Sequence, residues 1–197
     1  MASPSIERLI EILDSNAPRS VLFQKNVPVL AQAFHAESMK NILQDTLLGP
    51  NHERYAIVNC DPGKALYLPD HMINMQYKLT ILDKASNERK TTLVNARLFE
   101  DASSCKMYLD DVLSPLVARW GDRPEIKMFA NPVAMLSDLK MALSVFPIDG
   151  LIPTLGDATD PRKIASILEQ TLSEAVSGDL LIKDVRLDLA QYGRYAR

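Results

Sequence analysis

Two cysteines, three histidines and seven glycines are all that the 197 residues hold of the types on which most recognisable sites are built. The glycines never cluster, the nearest pair being Gly150 and Gly156. No loop therefore offers the row of close-approaching backbone N–H groups that a P-loop or dinucleotide fingerprint needs. Cys60 and Cys105 cannot close a structural zinc site alone, and His35, His52 and His71 show neither CxxC nor HxxxH spacing, so no metal site is expected. The GxSxG elbow of a serine nucleophile is missing. No stretch approaches the roughly 20 apolar residues of a membrane span. There is no signal peptide and no disulfide framework, which together predict a soluble chain in the reducing cytoplasm. Basic residues are scattered through a chain of net charge −3, which excludes the clustered basic face of a nucleic-acid binder.

What is present describes a globular protein. Hydrophobic residues make up 47% and charged residues 24%, so a core can form and disorder is not expected. Helical periodicity opens the chain. Ser5 precedes Ile6, Leu9, Ile10 and Leu13 at helical spacing, and a second helical stretch over about 29–48 ends at Gly49-Pro50. Tyr55 to Val58 reads as a strand stopped by the turn signal Asp61-Pro62-Gly63, with another short strand at 65–68. The clearest feature follows. Ile73, Met75, Tyr77, Leu79 and Ile81 alternate with Asn74, Gln76, Lys78 and Thr80, which is the period of a half-buried strand. With 91–99 returning as a second β-rich segment, this predicts a long hairpin over about 72–99.

Helical spacing returns beyond Asp101, with Ser103 or Ser104 as cap, and Ser114-Pro115 resets it before Trp120, the only tryptophan and an expected core anchor. Residues 126–129 read as a strand, and 128–146 as extended and loop structure over a core. Asp160 and Pro161 are the cap and first position of the best delimited helix, which Gly178 stops, and 180–189 reads as a final strand. The expected architecture is α+β: an antiparallel sheet built around the hairpin, with flanking amphipathic helices. The expected organisation is an N-terminal helical segment over 1–50 and an α+β domain over 51–197, or one continuous domain.

Chemistry is hard to find in this pattern. Adjacent carboxylates such as Asp110-Asp111 point apart on a helix. His71 beside Asp70 is the least implausible acid–base candidate. Cys60 reads as a small core residue. Cys105 begins a helix, where the macrodipole can lower a thiol pKa, but no His or second Cys stands near it in sequence. No catalytic residue is assigned.

The hairpin strands, 75–82 and 93–99, resemble the opening strands of the N-lobe of aminoglycoside-phosphotransferase-like kinases. Phe146-Pro147-Ile148-Asp149, Ile152-Pro153-Thr154-Leu155, Asp160-Pro161 and the run from Val185 to Arg197 resemble the approach to the nucleotide lobe in that family. The resemblance covers about 55–197 and rests on diffuse patterns. It implies the non-catalytic N-terminal cap and intermediate region of a small-molecule phosphotransferase, cut off before the catalytic lobe and contributing to lobe packing or to substrate or nucleotide positioning, with an exposed sheet edge near 185–189. ATP and Mg²⁺ are implied only for a complete parent protein, and no cofactor for this chain. The family's HxD base and magnesium-binding Asp have no counterpart here. Arg97 stands where the kinase lysine would, as a nucleotide-binding candidate against the plainer reading of a surface arginine on a strand. The expected partner is the missing C-terminal kinase lobe or another protein, without nucleic acid or membrane. The alternative is a stand-alone module that binds a protein or a small ligand.

Overall fold

The computed structural model describes residues 28–67 and 72–176. The expected helix over 5–13, His71, the stop at Gly178 and the strand over 180–189 lie outside them. Within the described residues the architecture is α+β, as the periodicities predict, with a five-stranded antiparallel sheet between two helical layers.

The helical stretch expected over about 29–48 opens as two helices, α1 (28–33) and α2 (Ala36–Leu43). They break at His35, whose backbone is extended and whose ring nitrogen accepts the Ser38 N–H at 3.2 Å as the cap of α2. One π-turn follows, Gln44–Leu48. Its wider winding turns the adjacent Leu47 and Leu48 both into the core. Gly49 then ends the helix at φ +49°, a backbone conformation that costs glycine little.

β1 (Tyr55–Tyr67) is one strand rather than two. Asp61-Pro62-Gly63 does not turn the chain. It makes a bulge, with the register to β2 slipping between Pro62 and Ala65. Among the described residues β1 is an edge strand of the sheet, where a proline costs no ladder bond on the open side. β2 (Ile73–Asp83) and β3 (Glu88–Leu98) form the expected hairpin in unbroken register from Ile73↔Leu98 to Asp83↔Glu88.

The second half departs further from expectation. Asp101 caps α3 (Ala102–Tyr108), accepting the Ser104 N–H at 2.8 Å, so the cap lies ahead of the serines. A second π-turn, Leu109–Leu113, joins α3 to α4 (Ser114–Trp120). Ile126, Met128 and Phe129 are buried, but 126–129 runs in turns rather than a strand. Within 128–146 lie two strands of the same sheet, β4 (Val133–Leu136) and β5 (Met141–Val145). The sheet order is β1-β2-β3-β5-β4. β5 is buried along its whole length, which leaves no alternation to read.

Two cores flank the sheet. Ile73, Met75, Tyr77, Leu79 and Ile81 point at α1 and α2, meeting Leu30, Ala33, Met39, Leu43 and Leu47. Tyr77 is fully buried there and its hydroxyl donates to the Ala33 carbonyl at 2.9 Å, tying α1 to the middle of the sheet. The opposite face packs on α3 and α4 through Cys105, Leu113, Leu116 and Trp120, with Phe99, Ala142 and Ile148. Trp120 is thus the core anchor expected of it. Beyond the sheet, the short α5 (Leu155–Ala158) and α6 (Pro161–Val176) lie against the end of α4. Asp157 is shared by Arg119 and Lys163, whose cations both sit over the Trp120 ring, and Arg123 donates to the Gly156 carbonyl at 2.7 Å.

Candidate functional site

The polar rungs of the hairpin converge on one spot beneath α3. Register places Gln76 beside Asn95 and Asn95 beside Ser144, and in the next rung Asn74 beside Arg97 and Arg97 beside Ala142. Alternation puts all of them on the face opposite Tyr77. A solvated sheet face would leave these side chains in water. The α3–α4 layer covers them instead, so Asn95, Arg97 and Ser144 are all buried. The expectation of a surface arginine on a strand is corrected in this respect: Arg97 is only 6% exposed.

Hydrogen bonds run through the cluster in one direction. Gln76 Nε2 donates to Asn95 Oδ1 at 3.0 Å, and Asn95 Nδ2 donates to Asp149 Oδ2 at 2.7 Å. The other oxygen of Asp149 accepts the backbone N–H groups of Leu151 and Ile152 at 2.7 and 3.2 Å. Asp149 thereby fastens the segment that follows the sheet to the middle of β3. Gly150 lets that segment pass close to α3, since a β-carbon there would collide with the Tyr108 hydroxyl and approach Val112 Cγ1 to 2.8 Å.

Arg97 is held differently. Its guanidinium carbon lies 4.5 Å from the centroid of the Tyr108 ring, a cation–π stack, and Tyr108 in turn packs on Phe99 at 5.3 Å. Burial pushes the Tyr108 hydroxyl up to about 12, against the opposing pull of Arg97. Arg97 Nε is buried with no hydrogen-bond partner among the described residues. It borders a cavity of about 10 Å³ that Asn74, Asn95, Tyr108, Ser144 and Asp149 also line. That space suits about one water molecule, and a nucleotide phosphate needs far more.

The other sequence candidates do not gather here. Cys60 and Cys105 are buried free thiols. Burial pushes Cys60 up to about 12 and Cys105 up to about 11, so desolvation overrides any help Cys105 has from the start of α3. His35 is an exposed cap, and His52 Nδ1 lies 2.6 Å from the Gly49 carbonyl. No group of three or more His, Cys, Asp or Glu side chains is placed to hold a metal among the described residues. No helix among them is long and apolar enough to cross a membrane. Asn95, Tyr108 and Asp149, the working parts of the cluster, carry no motif. The legible signal was a polar strand face followed by a helix that needed something to cover. Comparison with protein-family models, curated proteins and solved structures found no match to the chain.

Proposed function

We propose that the chain is a non-catalytic α+β domain of a phosphotransferase-like protein, contributing to lobe packing and not to chemistry. The observation that supports this is the place of Arg97, a basic residue on the third strand of an antiparallel sheet, facing the helix that follows that strand. Protein kinases keep their nucleotide lysine on the third strand and pair it with a glutamate of the next helix. Here arginine stands for the lysine and Tyr108 for the acid, and the space beside them suits about one water. The position is kept while its use changes from gripping phosphate to joining sheet and helix.

In this reading ATP and Mg²⁺ belong to a complete parent protein, the partner is its catalytic lobe, and the setting is the cytoplasm, where two buried thiols stay reduced. The test has two arms. The purified chain is assayed for Mg²⁺-dependent ATP hydrolysis and for nucleotide binding by calorimetry, and the transcript is read past the Arg197 codon. No turnover, no binding, and a downstream lysine-bearing strand pair with an HxD motif are expected. Phosphoryl transfer by the chain alone, or a stop codon directly after Arg197, overturns the proposal.

A further inference from the structure

A second concave site lies on the other face of the sheet, away from Arg97. β5 pairs with β3 only over Val94 to Leu98, and the ladder ends where the Phe146 N–H donates to the Leu93 carbonyl at 2.9 Å. The stretch of β3 before Leu93 has no strand on that side among the described residues. Because Leu93 turns its carbonyl toward β5, alternation turns the N–H and C=O of Thr91 toward the same, open edge. Beside this edge opens a cleft of about 380 Å³. That is within the roughly 300–1,000 Å³ of pockets that take small organic ligands.

The lining is chemically lopsided. Ile81, Met128 and Phe146 make an apolar wall. Ile81 is paired with Lys90 and Leu79 with Thr92, so Lys90 and Thr92 stand on the same face as the wall. Two charged side chains line the cleft. Glu125 is engaged by Arg123 at 2.6 Å, whereas Lys90 has no ion-pair partner among the described residues. Among the described residues the cleft thus presents one ammonium without an ion-pair partner, a threonine hydroxyl and an unpaired strand edge above an aliphatic, thioether and aromatic surface. The thioether of Met128 and the ring of Phe146 favour an aromatic body over an alkyl one. One ammonium with no ion-pair partner among the described residues matches a single anionic head.

We propose that this cleft binds a small aromatic carboxylate, its ring against Ile81, Met128 and Phe146 and its carboxylate on Lys90. Arg97 lies on the opposite face, so the outcome bears on this cleft and leaves the phosphotransferase-like reading untouched.

The experiment titrates the full chain with phenylpropionate, phenylpropanol, phenylpropylamine and inorganic phosphate, following amide shifts by NMR. Phenylpropionate should bind most tightly and shift residues 81, 90–92 and 146, the alcohol more weakly, and the amine and phosphate not at all. Lys90 is exposed, so its variants should fold. Lys90→Met should weaken the acid about two- to fivefold, the size of a partly exposed ion pair, and leave the alcohol unchanged. Lys90→Glu should weaken the acid further. Equal binding of acid and amine, acid affinity indifferent to Lys90→Met, or no shift by millimolar phenylpropionate would each overturn the proposal.

Discussion

Asp149→Ala tests whether the buried polar cluster holds the two halves of the domain together. The carboxylate accepts three hydrogen bonds, from Asn95 Nδ2 and from the N–H groups of Leu151 and Ile152. Hydrogen bonds to a charged group contribute about 1.5–3 kcal/mol each. Water can replace part of the two in the half-buried loop but little of the buried one. Removal also leaves the Arg97 guanidinium without the nearest opposite charge in its cavity. All of these act in one direction, and the expected loss is about 3–5 kcal/mol. For a chain of this size that lowers Tm by about 6–20 °C. Asp149→Asn is the sharper probe. It keeps the shape but offers one oxygen and one NH₂ where the carboxylate used two accepting oxygens, so either Asn95 or the Leu151 and Ile152 N–H groups lose their acceptor. Asn95 cannot flip freely to compensate, because its own oxygen already accepts from Gln76. The asparagine variant should therefore lose about 2 kcal/mol in spite of its isosteric side chain. Urea unfolding reads both, with the midpoint falling and the slope unchanged. If Asp149→Ala stays within about 1 kcal/mol of the parent, the cluster is not the fastening described above.

Three further outcomes are expected. Gly156→Ala would place a β-carbon 2.5–2.6 Å from Trp120 ring atoms. Such overpacking costs about 1–3 kcal/mol, and the emission of the only tryptophan should shift while the β2–β3 amides stay put. Cys60 and Cys105 should react with a thiol reagent at about pH 9 far more slowly than a free thiol of pKa about 8.5, and at full rate only after unfolding. Rapid labelling of the folded chain would refute their burial. Asp83 is held below the usual carboxylate range, first by its hydrogen bond to Arg54 and then by the Ala85 N–H. A lowered folded pKa adds stability above the unfolded value of about 3.9, and that stability is lost as pH falls through the lower folded value. In Arg54→Met the Asp83 carboxyl should titrate closer to its ordinary value by NMR.

How much of this was legible depended on which faces of each element met water. The β2–β3 hairpin was readable because one face of β2 is apolar throughout and the other polar. α6 was readable because Asp160 and Pro161 mark its start, and the Asp160 carboxylate does accept the Arg162 N–H at 2.9 Å. β5 was not, since a strand buried on both faces carries no alternation of apolar with exposed polar positions. Residues 126–129 misled because buried Ile126, Met128 and Phe129 flank an exposed Lys127, a pattern that a half-buried strand and a turn share. Asp61-Pro62-Gly63 misled in the opposite way. Its local signal for a turn is real, but pairing with β2 on both sides outweighs it and turns the break into a bulge.

The cluster around Arg97 shows why a site of this kind escapes a residue-by-residue reading. Asn74, Gln76, Asn95 and Arg97 form an ordinary solvent-facing pattern until α3 and the segment after β5 are laid over them. Their meaning changes with that covering. A polar face in water asks for nothing, whereas the same face under a helical layer must be satisfied internally. Asp149 satisfies it from more than fifty positions away in sequence, and no spacing rule links it to Asn95. The covering helix supplies Tyr108, whose ring meets the guanidinium in place of an acid. A strand arginine followed by a helix is thus informative only together with what the helix brings to it. An acidic partner would have pointed to a phosphate grip, and an aromatic one points to a join between layers.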